Sequence, residues 1–223
     1  MRARLSVVIP TLNAGDSLPA CLTRLMPGVE AALIRELILT DGGSTDTTLA
    51  IAEEAGAQLV TGPASRGGQL RRGVAQATGE WLLILHADSL LPDDWPALVE
   101  AQMARHRPAH FRLRFDARGL APTLVATWAN LRARSLRLPY GDQGLLISRA
   151  DYDAVGGYRD IPLMEDVAMA RALGRRLDVL PGRITTSAAK YRRDGWLRRG
   201  ARNLTLLIRY LLGASPEQLA RKY

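Results

Sequence analysis

The chain has a single cysteine, Cys21, in 223 residues. A lone thiol forms no intramolecular disulfide, so nothing requires an oxidising compartment and the cytoplasm is the expected location. Aromatic residues are scarce, at 5%, which argues against the interleaved stacking surface of a nucleic-acid binder. No apolar run approaches the roughly 20 residues of a membrane span. The longest candidate, LTLLIRYLLG at 204 to 213, is short and carries Arg209. The opening MRARLSVVIPTLN starts basic, but Pro10 cuts its apolar run too early for a signal-peptide core, and the segment reads as a strand. Also missing are a Gly-x-x-x-x-Gly-Lys-Ser/Thr loop and a G-x-G-x-x-G fingerprint after the first strand. Their absence removes the main signals for a P-loop and for nicotinamide or flavin binding. There is no internal repeat, low-complexity segment or linker.

What is present is enough hydrophobic sequence, 47%, to bury one substantial core. The formal charge of +8 is unevenly spread: from Lys190 onward nine Lys and Arg face two acids, leaving the first 189 residues near neutral. The basicity belongs to a tail.

Four apolar runs, LSVVIP, ELILTDGG, AQLVTG and WLLILHAD, alternate with the helix-type runs SLPACLTRLM, TDTTLAIAEEAG and GGQLRRGVAQATG. Continuous rather than alternating Val, Ile and Leu is typical of parallel strands covered on both faces. The fold class is therefore α/β, a Rossmann-like, mostly parallel sheet flanked by helices. Further on, PDDWPALVEAQMARH reads as a helix, HFRLRF as a half-exposed strand and LAPTLVATWANLRARSLRL as an amphipathic helix. GLLIS reads as a strand, RADYDAVGG as a short helix and PLMEDVAMARALG as a helix with Glu165 and Asp166 in its first turn.

Open α/β sheets bind ligands beyond the carboxyl ends of their strands, so the residues there carry weight. Asp41 lies in the glycine-rich turn TDGGSTD, where backbone can approach a ligand; helix capping by Ser44 and Asp46 is the structural alternative. Asp88 ends the strand WLLILHAD, where a carboxylate can help hold a hard divalent cation with water and substrate phosphate. Its alternative is a turn cap at Ser89. His86 could be a ligand or a structural hydrogen-bond partner. SRGGQLRRG at 65 to 73 suits a phosphate-bearing ligand. Glu165 and Asp166, at a helix start, are held ionised by the dipole, which suits either a proton acceptor or simple dipole complementation.

In order, VVIPTLN, TDGGSTDTT, LLILHADS, GDQGLLISR and MEDVAMARAL resemble the inverting family 2 glycosyltransferases of the GT-A fold, over about residues 5 to 196. Within that family the Arg-Gly loop, HADS and GDQG look closest to a small bacterial branch of arsenosugar-biosynthesis-type transferases. The resemblance implies that Pro10, Thr11, Asn13 and Asp41 hold the base and ribose of a nucleotide sugar, usually a UDP-sugar. Arg66, Gly67, Ala87 and Asp88 would also contact the nucleotide. Asp88, with His86 as a second candidate, would hold Mg²⁺ or Mn²⁺. Asp166, with Glu165 beside it, matches the catalytic base, and Lys190, Arg192 and Arg193 would share the diphosphate charge. The usual D-x-D is here H-A-D, one negative charge fewer, and the usual double aspartate after the second strand is Asp-Gly.

The implied organisation is a domain over 1–196, with a nucleotide half to about 92 and an acceptor half from 93, followed by a basic amphipathic helical tail at 197–223. Leu204, Leu207, Ile208 and Leu211 have helical spacing. The tail either packs on the domain or another subunit, or lies on the inner face of an anionic membrane, as a lipid-linked acceptor would favour. Two other readings stand beside the transferase: a sugar nucleotidyltransferase on a similar sheet, and a non-catalytic basic module for membrane or nucleic acid.

Overall fold

In the computed structural model, which describes residues 3–221, the first half alternates strand and helix. It runs β1 (Leu5–Thr11), α1 (Leu18–Thr23), α2 (Met26–Glu30), β2 (Ile34–Asp41), α3 (Thr48–Glu54), β3 (Gln58–Thr61), α4 (Arg66–Gln76) and β4 (Trp81–Ile84). The second half adds α5 (Trp95–Ala104), β5 (Ala109–Phe115), α6 (Leu120–Ser135), β6 (Leu145–Ser148), α7 (Arg149–Ala154), α8 (Glu165–Leu173), β7 (Asp178–Thr186), α9 (Ala189–Asp194), α10 (Trp196–Leu211) and α11 (Pro216–Ala220). The strands form one 7-stranded sheet in the order β3-β2-β1-β4-β6-β5-β7. Only β6 runs antiparallel to its neighbours, β4 and β5; every other pair is parallel. The chain winds outward from β1 to β3 and then crosses back to β4 on the other side of β1, so strand order reverses between β1 and β4, where such sheets form a ligand crevice.

The continuous apolar runs follow from burial on both faces. Leu5, Val7 and Ile9 of β1 and Trp81 and Leu83 of β4 enter one cluster with Leu18, Trp95 and Phe111. Val8, Leu82 and Ile84 enter the opposite cluster with Ile38, Leu70 and Val74. Burying a side chain of this size contributes about 1.5–3 kcal/mol, which a strand polar on one face would forfeit.

Three elements differ from the sequence reading. SLPACLTRLM does not form one helix: α1 stops at Thr23 and α2 restarts at Met26 with Pro27 in its first turn, because proline suits a helix start but not its interior. The strand β7, DVLPGRITT, was not anticipated, since Pro181 and Gly182 interrupt it. It is tolerated at the sheet edge, where its strand partner is β5, with a register shift between His110 and Arg112, and Thr185 forms an isolated bridge to Leu90. In the tail, α10 buries Leu206 and Leu207 in a third cluster with Leu138, Leu163, Met164, Val167 and Leu219. Ile208 and Leu211, on the expected stripe, stay exposed. No helix among the described residues is long and apolar enough to cross a membrane.

Candidate active site

The carboxyl ends of β1, β4, β5 and β7 and the starts of α4 and α8 surround a cavity of about 560 Å³. Of the residues singled out from the sequence, Pro10, Thr11, Asn13, Arg66, His86, Ala87, Asp88, Glu165, Asp166 and Lys190 line it. Asp41, Gly67, Arg192 and Arg193 are not part of its lining.

Asp41 sits beneath the cleft, 1% exposed. Its carboxylate accepts from Thr11 Oγ1 at 3.0 Å and from the Gly43 and Ser44 amides at 2.7 Å each, as well as from Ser44 Oγ. Burial pushes its pKa up, but the donors of Ser44, Gly43 and Thr11 outweigh it and hold the carboxyl below its ordinary value. The charge is thus used to fix the turn that positions Thr11. Asn13, in the left-handed region at φ 49°, ties the loops after β1 and β2 together: its amide donates to Ser44 Oγ at 2.8 Å and its Oδ1 accepts from Thr45 N at 2.9 Å. Asp46 accepts from Gly15 N and Thr48 N at 2.8 and 3.0 Å, so it ties the loop after β1 to the start of α3, whose N-cap is Thr47.

A basic wall stands opposite. Ser65 caps α4 by accepting from Gly68 N, and the helix start delivers Arg66, whose Nε lies 3.3 Å from Glu165 Oε1 and whose Nη2 abuts both ring nitrogens of His86. Burial, then Arg66 and Lys190, hold the His86 pKa well below the usual histidine range, so the ring is neutral. Gly67 lets α4 approach the backbone closely, since a Cβ there would sit 1.9 Å from Arg159 O. Burial and Arg66 also hold Lys190 below the usual lysine range, with Asp88 acting in the other direction. Arg192 pairs instead with Asp116 at 3.6 Å and Arg193 with Asp194 at 2.7 Å.

Two acids open α8. Glu165 is 2% exposed; burial and neighbouring Asp166 raise its pKa, against Arg66. Asp166 faces the turn at Gly141–Gln143: its Oδ2 accepts from Gly141 N and its Oδ1 from Val167 N, both at 2.7 Å. Met164, just before them, holds φ 67°, an uncommon conformation for a non-glycine residue that costs about 1–3 kcal/mol. Its side chain is locked in the cluster under α10. Asp88 lies across the cleft, its Oδ2 accepting from Thr186 Oγ1 at 3.2 Å.

Sequence reasoning missed several lining residues. Gln69 Nε2 donates to Thr11 O and Thr40 O at 2.7 Å each, clamping α4 to the ends of β1 and β2. Asp142, in the quoted GDQG, lines the cleft with Oδ1 buried and unpartnered. Arg199, Asn203 and Leu206 bring the tail into the wall, where Asn203 Nδ2 donates to Tyr191 Oη at 3.1 Å. No group of three or more His, Cys, Asp or Glu side chains placed to hold a metal occurs among the described residues.

Strand order and cleft together define the GT-A class of α/β fold. The model of the family "Glycosyl transferase family 2" matches residues 6–139. The chain belongs to that family. A PGL/p-HBAD biosynthesis glycosyltransferase of Mycobacterium tuberculosis is 42% identical over 112 residues, covering 47% of this chain and 43% of the relative. The chain thus spans less than half the length of that curated relative. Among solved structures, residues 1–349 of S. aureus TarS give a TM-score of 0.63 at 17% identity, covering 97% of this chain and 69% of that one. Glucosyl-3-phosphoglycerate synthase from M. tuberculosis, in complex with Mn²⁺, UDP and glucosyl-3-phosphoglycerate, gives 0.55 at 21% identity, covering 82% and 70%. At these identities the structural likeness is one of fold.

Proposed function

We propose that the chain is an inverting glycosyltransferase that moves a sugar from a nucleotide diphosphate sugar, in the simplest case a UDP-sugar, to an acceptor hydroxyl. The observation that carries this reading is that Asp88 and Asp166, far apart in sequence, line one cleft beside Arg66 and Lys190. Pro10, Thr11, Asn13 and Ala87 hold the nucleotide, and Asp41 acts from below by fixing Thr11. Residues to about 92 form the donor side and residues 93 to 196 the acceptor side, with α10 closing the wall.

Arg66 and Lys190 face the diphosphate; Arg192 and Arg193, engaged by Asp116 and Asp194, stand outside it. A Mg²⁺ or Mn²⁺ fits Asp88, because such ions take one or two carboxylates and complete their shell with water and substrate phosphate. When bound, the ion would neutralise charge growing on the departing diphosphate. His86 fits that shell poorly, since a guanidinium occupies the side of the ring a metal would need. It serves instead as a neutral partner of Arg66, which Glu165 braces from the other side.

Asp166 takes the proton of the acceptor hydroxyl. Two backbone amides fix its oxygens, which leaves the carboxylate oriented to accept a proton in the cleft. The hydroxyl oxygen attacks the anomeric carbon from the face opposite the diphosphate; the bond from that carbon to the diphosphate oxygen breaks, the nucleoside diphosphate leaves with the electron pair, and the configuration inverts.

A thermal-shift screen of nucleotide sugars with and without Mn²⁺ should identify the donor by mass action, at about 2.7 kcal/mol when ligand is a hundredfold over Kd. With that donor, Asp166→Asn should abolish nucleoside diphosphate release and leave donor affinity within a few fold. Equal loss of both refutes the base assignment, and pyrophosphate as the product would mark a nucleotidyltransferase.

A further inference from the structure

A second, larger cavity of about 1090 Å³ opens between β5, β7 and α6, and Phe115 lines both it and the cleft. Five arginines, Arg112, Arg114, Arg118, Arg134 and Arg183, line this groove and are exposed. The one carboxylate lining it among the described residues, Asp116, is already engaged by Arg192 and by Ala188 N. Arg114 donates to Thr185 Oγ1, whereas Arg112, Arg118, Arg134 and Arg183 have no carboxylate partner among the described residues. A concave surface of uncompensated guanidinium groups concentrates anions.

Beside the groove, α6 shows solvent a stripe of large apolar side chains: Leu120 at 84% exposure, Leu124 at 65%, Trp128 at 47% and Leu131 at 52%. Spacings of four, four and three place them on one helical face, away from the buried Pro122, Ala129 and Ala133. Leu131 belongs to both stripe and groove. Neither feature serves the chemistry proposed above, and together they have the composition of a surface that lies in a membrane interface, with Leu and Trp beside Arg.

We propose that this surface seats on an anionic lipid bilayer, the α6 stripe entering the headgroup boundary while the groove arginines take lipid phosphates. Charge selects this occupant. In a symmetric contact between two copies the arginines would face one another without acids to pair them. A nucleic acid would find no row of exposed aromatics to stack on among the described residues of this groove. The seat involves α6 and the sheet edge, and so differs from a contact made by the tail alone. On the function proposed above, Phe115 places a bilayer-borne acceptor next to the cleft.

Vesicle co-sedimentation tests the inference without reading catalysis, so its failure would leave the proposed activity standing. The protein should bind vesicles of equal parts phosphatidylcholine and phosphatidylglycerol, release at high salt, and ignore phosphatidylcholine alone. Each neutralised arginine should weaken binding about fivefold, so Arg112→Gln with Arg183→Gln should cost about 25-fold. Leu124→Ser with Trp128→Ser should cost about tenfold or more. These exposed substitutions should leave the melting temperature unchanged. Vesicle binding that survives both double variants would assign the contact to the tail and overturn the proposal. So would absence of vesicle binding accompanied by a dimer that Leu124→Ser dissociates, or by an RNA mobility shift that the arginine variant abolishes.

Discussion

Burial, reinforced by Asp166 and Asp88 and opposed by Arg132, pushes the Asp142 carboxyl up from 3.8 to about 6. Its Oδ1 is buried without a hydrogen-bond partner, as is Nη2 of Arg132. A shift of about two units at 1.36 kcal/mol each means that ionising Asp142 costs the folded state roughly 3 kcal/mol. Because the folded state holds this proton more tightly than the unfolded chain, the stabilisation is complete below about pH 4 and lost as pH rises through about 6. Asn keeps the shape and removes the titration. Whatever a buried amide adds is the same at both ends of the range, so the diagnostic quantity is the difference in the effect of Asp142→Asn between about pH 7.5 and about pH 3.5. We expect the variant to gain up to roughly 3 kcal/mol at the higher pH relative to the lower, a ceiling of roughly 6–12 °C in melting temperature for a chain of this size. Urea unfolding followed by circular dichroism at both pH values measures it. Equal effects at both, or a variant more harmful at pH 7.5, would show that the carboxylate is stably ionised against Arg132 and refute the reasoning.

Gln69→Ala should destabilise the fold by about 1–3 kcal/mol, because Thr11 O and Thr40 O lose the donor they share; thermal melts read the loss. Asp41→Asn should behave oppositely to Asp142→Asn. Its folded pKa is depressed, so its contribution is present above the ordinary aspartate value and lost as pH falls through the folded pKa. The variant's deficit at neutral pH should therefore shrink on acidification, as paired urea titrations would show. Gly141→Ala places a Cβ 2.4 Å from His86 Nε2, an overpacking that costs about 1–3 kcal/mol. It should also reduce turnover by shifting the amide that holds Asp166, and an Ala variant with normal melting and normal rate would contradict this.

The first half of the fold was legible because β1, β2 and β4 each serve two cores, and continuous apolar runs report that directly. The strand β7 was not, since Pro181 and Gly182 erase its pattern and only its place at the edge makes them acceptable. In the tail the helix was legible, but the buried pair is Leu206 and Leu207, while Ile208 and Leu211 remain exposed. Periodicity gives a helix's apolar face, and tertiary packing decides how that face is turned. The strand-end acids stood out because an ordinary loop has no need of them. Gln69 and Asn203 did not, since an amide in a helix carries no chemical signature until its partners on distant elements are known. Arg192 and Arg193 illustrate the converse: a basic cluster in sequence divides among nearby acids once folded.

The wall formed by Arg199, Asn203 and Leu206 has a consequence for biosynthesis. On a ribosome, the chain emerges with the donor-side loops long before the helix that completes the enclosure, and domains fold as their sequence becomes available. The crevice is therefore an open shelf until that helix emerges, and its wall is completed when Leu206 and Leu207 settle over Met164.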